Sequence, residues 1–300
     1  MKIVIAKSSR GIALMVVLIA IFALSMLAGA FAYSMKVETK LAVNSNHQAD
    51  LEWLGRSGVE YARWILAQEK CPNDSLNQIW AGGPGAECET NNDALSGISL
   101  ENFHCGDGIF TIKITDLERR ININTADGPI LQQALTTIGA DATDIPTIAD
   151  SLQDWIDRDD NPRINGAESD FYQGLNPPYM AKNGPVDDLS ELLLIHGIRE
   201  NPEIYSSDYD NIPRFDQFGN PVPTRAYPAH LVDIFTPLST GKININTASA
   251  LVLQTIPGVD AATADQIIRI RAGPDGADGT ADDTPFMNVG ELASAGLPQA

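Results

Sequence analysis

The side chains of this chain best suited to chemistry are carboxylates, and they gather in two loops. In Gly273-Pro-Asp-Gly-Ala-Asp-Gly-Thr-Ala-Asp-Asp283, the residues Asp275, Asp278, Asp282 and Asp283 sit on a backbone loosened by three glycines. Hard cations such as calcium take roughly six to eight oxygens at about 2.4 Å, and a wrapping loop of this kind supplies them. The spacing is not that of an EF-hand, because the third position would be Ala277. The second loop holds Asp157, Asp159, Asp160, Asn161, Glu168 and Asp170. It is the weaker calcium candidate, since Arg158 and Pro162 interrupt the run of ligands. The competing reading of both loops is a solvated acidic turn.

Other chemistries find little support. No Gly-x-Ser-x-Gly, phosphate-binding loop or His-Glu-x-x-His occurs. Cys71, Cys88 and Cys105 form no metal pattern; they allow one disulfide with one thiol left over, and the pairing is open. Four scattered histidines argue against a transition-metal enzyme. The expectation is a protein that is not an enzyme.

The elements that must position these loops follow from the rest of the chain. Its 300 residues, 44% hydrophobic and 20% charged, exclude a disordered or polytopic membrane protein. A net charge of −19 repels phosphate backbones, so general nucleic-acid binding is disfavoured. Lys2, Lys7 and Arg10 precede Gly11, and Ile12 to Tyr33 then runs 22 residues without a charge. As a helix this is about 33 Å, enough to cross a membrane, with the basic flank on the cytoplasmic side. A secretory signal would cut after Ala30-Phe31-Ala32, but the apolar run exceeds the usual h-region, and a plain signal anchor fits the length. Arg10-Gly11-Ile12-Ala13-Leu14 also has the order of a prepilin leader, which is cut between Gly11 and Ile12.

Beyond the span, Ser34 to about Glu69 lacks proline and keeps a helical pattern through Val37, Leu41, Leu51, Leu54, Gly58, Ala62 and Ile65, ended by Cys71-Pro72. Pilins carry a glutamate at the fifth mature position, an acid costly in lipid unless a neighbour's terminal ammonium pairs with it. Here that position is Val16. In a filament growing from its base, only the first subunit has no neighbour's amine to neutralise, so Val16 points to the tip.

A repeat organises the remainder. Arg120-Ile-Asn-Ile-Asn-Thr-Ala126 recurs 122 residues later as Lys242-Ile-Asn-Ile-Asn-Thr-Ala248. Ile109 to Thr115 and Leu231 to Thr236 read as the strands that lead into the two copies. Asn124 or Thr125, and Asn246 or Thr247, are expected to cap the helices that follow. Ile148, Leu152, Trp155 and Ile156 mark one helix; Leu189, Leu192, Leu193 and Ile195 mark another, stopped by Gly197. The second copy, from Asn246 through Ile256-Pro-Gly-Val-Asp260 to Arg271, looks like a helix-hairpin-helix. Asp260 places a carboxylate where a DNA-binding version would seat a phosphate.

These marks, with Leu152-x-x-Trp155-Ile-Asp157-x-Asp159-Asp160 and Pro177-Pro-Tyr-x-x-Lys182-Asn183-Gly-Pro185 continuing to Leu189-x-Glu191-Leu-Leu, resemble the general secretion pathway protein K family, the K-type minor pseudopilins of type II secretion. The resemblance implies an α+β fold, a pilin-like long N-terminal helix plus antiparallel sheet, interrupted by a large all-helical, SAM-like or helix-hairpin-helix-like insertion. The expected divisions are a leader at 1–11, membrane and amphipathic halves of the helix at 12–33 and 34–70, pilin-like segments at 71–118 and 231–300, and the insertion at 119–230. The resemblance also implies prepilin peptidase cleavage, N-methylation of Ile12, I- and J-type minor pseudopilin partners, an inner-membrane assembly platform, secreted cargo and calcium in the pilin-like domain. Family members usually continue past a segment like Val289-Gly-Glu-Leu292 into closing strands, so ending at Ala300 implies an incomplete sheet or a truncated sequence. The other readings are a minor type IV pilin for adhesion or motility and a membrane-anchored DNA receptor.

Overall fold

The computed structural model describes residues 10–89, 92–106, 108–210, 212–215, 220–222 and 225–294; most of the leader and the end of the chain at Ala300 lie outside the described residues. The chain divides into two units, the first built from residues up to Trp64 with Glu101–Ile112, the second from Ile65–Leu100 with Lys113 onward.

Helix α1 (Arg10–Gln68) runs 59 residues because nothing in it breaks a helix: proline first appears at Pro72. It is long and apolar enough to cross a membrane. The first unit adds a hairpin, β1 (Phe103–Cys105) antiparallel to β2 (Gly108–Phe110), with Phe103 opposite Phe110. Tyr61 on α1 lies 4.5 Å from Phe103, ring to ring, and Phe103 lies 5.0 Å from Phe110. Gly108 permits this packing, because a Cβ there would overlap Leu54. The strand expected at Ile109 to Thr115 therefore stops at Phe110, and residues 111–116 are irregular. The apolar face expected along the second half of α1 is buried only from Gly58 to Ile65; Val37, Leu41 and Leu51 are exposed.

The second unit opens with the Cys71–Cys88 disulfide, which settles the pairing and leaves Cys105 as the free, exposed thiol. Its core is made by the two copies of the repeat. In the first, β3 (Ile121–Asn122) leads through a turn into α2 (Gly128–Ile138) and α3 (Ile145–Ile156), then α4 (Ser169–Gln173). A short hairpin, β4 (Arg214–Phe215) with β5 (Pro221–Val222), follows. Leu231–Ile234 is a helical turn, α5, and not the expected strand; only β6 (Phe235–Thr236) is extended, and it pairs parallel with β3. The second copy gives α6 (Ala250–Gln254), α7 (Ala261–Arg271) and α8 (Gly290–Ser294). The 119–230 segment holds α2, α3 and α4 but also β3, β4 and β5 and much irregular chain, so it is not all-helical. Leu189–Leu194 is a 3-10 helix, with Ile195 already extended.

The repeated Asn residues do different work from helix capping. Asp127 and Ser249 cap α2 and α6, accepting from the amides of Ile130 and Val252. Asn122 and Asn244 instead close the preceding turn, each accepting from the amide two residues on. Asn124 and Asn246 reach across the fold. Asn124 accepts from the Val186 amide at 2.7 Å and donates to the Val186 carbonyl at 3.0 Å. Asn246 does the same to Phe286 at 2.8 and 2.9 Å. Both anchored residues follow a proline and precede a Glu-Leu pair, Glu191-Leu192 and Glu291-Leu292, so the duplication extends beyond the Ile-Asn-Ile-Asn-Thr-Ala segment.

Candidate metal centre

Helix α3 turns Ile148, Leu152 and Trp155 into the core, and on its last turn presents Asp154, which is fully buried. A buried carboxylate must find a cation or donors. Asp154 is met by Arg163, at 2.5 Å from the guanidinium, and the same Arg163 nitrogen reaches Asp157 at 2.6 Å. Gly166 lets the loop close on this pair, since a Cβ there would collide with the Asp154 carboxylate.

Next to this pair lies a group of carboxylates that the chain satisfies only in part: Asp157 meets Arg163 through one oxygen, and Asp159 Oδ1 accepts from the amide and the side chain of Asn161. Asp157, Asp159 and Glu168 each offer an oxygen within 4.8 Å of the others. Glu168 is 3% exposed, and neither of its oxygens has a hydrogen-bond partner; Asp157 Oδ1 and Asn183 Oδ1 are also without one. Asn183 is tied to the group by its own amide, which donates to the Asp159 carbonyl at 2.8 Å. Burial, then the charges of Asp154, Asp157, Asp160 and Asp159, push the Glu168 carboxyl up to about 7. Asp160, by contrast, accepts from the Ser169 amide at 3.3 Å, and its hydrogen bonds to Ser169 hold it below the usual carboxylate range. Three carboxylates with oxygens within 4.8 Å of one another, among which both Glu168 oxygens and Asp157 Oδ1 lack a donor, suit a hard dication, with further oxygens or water completing the shell.

The other acidic loop is arranged differently. Asp278 is held by Arg271, with contacts of 2.6 and 2.9 Å, and Arg271 is itself 4% exposed and donates to the carbonyls of Ile245 and Ala248. Asp282 accepts from the Asp275 amide and the Thr280 hydroxyl, and Thr280 is the main cause of its lowered pKa. Asp283 accepts from the amides of Gly279 and Thr280, and Asp275 from that of Ala277. These four carboxylates therefore serve turns and an internal arginine. Among the described residues, Asp157, Asp159 and Glu168 are the group of three placed for a metal.

In the hairpin between α6 and α7, Asp260 caps α7, accepting from the Thr263 amide at 2.8 Å, and its hydrogen bonds to Thr263 lower its pKa. The Thr263 amide, in the first turn of α7, is thus used by a carboxylate of the chain itself. Gly11 and Ile12 lie in the first turn of α1, and Val16 is exposed on it. Asn183 and Arg163 are the site residues that sequence reasoning missed. Asn183 takes a left-handed backbone conformation, φ 47°, and its position before Gly184-Pro185 was the available signal.

Comparison with known proteins gives a consistent result. Residues 112–206 match the family model for type II secretion system protein K, and residues 239–274 match the helix-hairpin-helix motif. The chain is 29% identical over 200 residues to a putative type II secretion system protein K of Escherichia coli K12, covering 65% of this chain and 60% of that one. It is 26% identical over 202 residues to protein K of Klebsiella pneumoniae, covering 63% and 58%. With protein K of Pseudomonas aeruginosa it shares 23% identity over 274 residues, 88% of this chain and 73% of the relative. The first two matches thus span about three fifths of the relatives' length. The fold is shared with a chain in the crystal structure of the GspK-GspI-GspJ complex from enterotoxigenic E. coli, with a TM-score of 0.52 and 19% identity over 80% of this chain and 74% of that one. The resemblance to the K family drawn from the sequence is borne out by these matches.

Proposed function

We propose that this chain, similar to protein K of type II secretion, is a minor pseudopilin at the tip of the secretion filament and helps to start its assembly. The observation that carries the reading is Val16, an apolar residue on the lipid-length part of α1 where a pilin needs a carboxylate. On this reading α1 crosses the inner membrane once, with the amino terminus cytoplasmic and the remainder periplasmic. Prepilin peptidase cuts between Gly11 and Ile12, and Ile12 is N-methylated. The partners are I- and J-type minor pseudopilins, as in the complex that shares the fold, together with the assembly platform and the exported cargo. The role is structural and not enzymatic.

The test is the mass of the mature amino terminus, with the peptidase present and absent. A start at methylated Ile12 that needs the peptidase supports the reading. An uncleaved Met1, or a start near Tyr33, sinks it. A minor type IV pilin would share the processing but not a loss of protein export on deletion. A DNA receptor is disfavoured by Asp260, which caps α7 through the Thr263 amide and puts a negative charge at the hairpin.

We also propose calcium as the ion of this protein, held by Asp157, Asp159 and Glu168 with Asn183. The two unpartnered oxygens of buried Glu168 are the supporting observation. When bound, a dication supplies the positive charge that the group lacks and fixes the loop between α3 and α4.

A further inference from the structure

The loop between α3 and α4 carries an isoleucine that neither turn chemistry nor water favours. Ile164 is 99% exposed, more than any other large apolar residue described. The Gly166 amide donates to the Arg163 carbonyl at 3.1 Å, so Ile164 and Asn165 form the corner of a four-residue turn. Such corners favour glycine, proline, asparagine, aspartate and serine, and a β-branched apolar side chain gains nothing there. A single exposed apolar residue is ordinary on a protein surface. This one differs in how firmly it is held.

Both neighbours of Ile164 are pinned to α3. The Arg163 amide donates to the Asp154 carboxylate at 3.1 Å, and the Arg163 guanidinium joins Asp154 to Asp157. On the other side, the amide and the side chain of Asn165 both donate to Asp150, at 3.1 and 2.9 Å. Asp150 and Asp154 are four residues apart on α3, so they grip the turn from one face of the helix. Asp154 is fully buried, which ties the grip to the core, and Pro162 stiffens the chain entering the turn. The other acidic loop, Gly273 to Asp283, closes without any large apolar residue. An apolar side chain that the fold does not use, on a turn built to hold it still, breaks a local rule in the way a functional position does.

We propose that Ile164 is a preformed anchor for a partner protein, entering an apolar pocket whose rim is basic. A side chain already fixed in place loses little conformational freedom on docking, so a single one can dominate an interface. The basic rim follows from charge. Residues 157–170 hold five carboxylates against two arginines, and Asp159, Asp160 and Asp170 are exposed. Lysine or arginine around the pocket is attracted to this loop, whereas an anionic lipid surface is repelled. The inference rests on neither the filament reading nor a bound ion.

The test places the photo-crosslinker p-benzoylphenylalanine at position 164 of the full-length protein in intact cells, and at the exposed position 269 as a control. One discrete adduct is expected at 164 and not at 269, with mass spectrometry locating the crosslink in an apolar pocket of another protein flanked by lysine or arginine. That protein, purified, is then titrated against the full-length chain in detergent. Ile164→Ser is expected to weaken binding by about tenfold or more and Ile164→Leu to preserve it, with both variants melting as the wild type does. The proposal is overturned by the absence of a discrete adduct, by an adduct only to lipid or to a second copy of this chain, or by a crosslink in an acidic or polar surface. Equal binding of wild type and Ile164→Ser overturns it too, and so does a lowered melting temperature in Ile164→Ser, which would make the isoleucine part of the fold.

Discussion

Glu168 and Asp157 present oxygens within 4.8 Å of each other, yet both Glu168 oxygens and Asp157 Oδ1 lack a hydrogen-bond donor. The same loop neutralises Asp154 with Arg163 a few residues away. One pair is complete within the chain and the other group is not, so the second depends on protons or on an ion from outside.

The proton dependence has a definite sign. The folded carboxyl of Glu168 is raised from 4.5 to about 7. The ion-free protein therefore gains the full contribution of this group below about pH 4.5 and loses it as the pH climbs through 7. Glu168→Gln, uncharged and of the same shape, is expected to flatten that part of the stability curve and to raise the melting temperature at pH 8 in chelator. Thermal melts across pH 4.5 to 8 check this, and an unchanged slope in the variant would count against it.

Calcium reverses the same penalty. At about 100 times its dissociation constant, an ion that binds only the folded state adds about 2.7 kcal/mol. At pH 8, calcium is expected to raise the melting temperature of the wild type, to do so less for Asp159→Asn and Asn183→Ala, and not at all for Glu168→Gln. Asp275→Asn and Asp282→Asn are expected to keep the response. If those two variants abolish it instead, the ion belongs to the other acidic loop.

Much of this arrangement is legible in the sequence, and the failures share a cause. The unbroken α1, the α3 pattern around Leu152 and Trp155, the helix-hairpin-helix and the six-residue repeat all depend on local periodicity or identity, which a sequence displays directly. The choice between the two acidic loops depends on which carboxylates lack donors. Arg271 lies four residues before Asp275 in sequence, but its burial and its reach back to Ile245 and Ala248 are tertiary facts. The capping role assigned to Asn124 and Asn246 failed for the same reason. Their side chains find partners at Val186 and Phe286, 62 and 40 residues away, and no local rule points there. The Leu231 strand failed because a β-favouring run was overridden by a capped helical turn at His230.

The disulfide at the end of α1 closes a loop with a sequence separation of 17. By chain entropy a loop of that size contributes about 3 kcal/mol. Cys71→Ser and Cys88→Ser are expected to cost about that much, singly and together, in urea denaturation under oxidising conditions. Cys105→Ser, at an exposed free thiol, is expected to be neutral. A double variant markedly worse than either single one would mean that the serines disturb more than the bridge.

Arg271 gives the sharpest contrast with the first acidic loop. Its buried guanidinium binds Asp278 in a fork and satisfies two backbone carbonyls that face inward. Arg271→Met is expected to cost about 3 to 5 kcal/mol, because it strands a partly buried carboxylate and two carbonyls together. Arg271→Lys keeps the charge but cannot span all three acceptors, so an intermediate loss is expected. Adding Asp278→Asn to Arg271→Met removes the stranded charge and is expected to recover part of the loss, which a double-mutant cycle in urea measures. Calcium is expected not to rescue Arg271→Met, since the remaining carboxylates of that loop are committed to the amides of Asp275, Ala277, Gly279 and Thr280. Rescue by calcium would show instead that the arginine and the ion are interchangeable there, and that both copies of the repeat evolved around a cation.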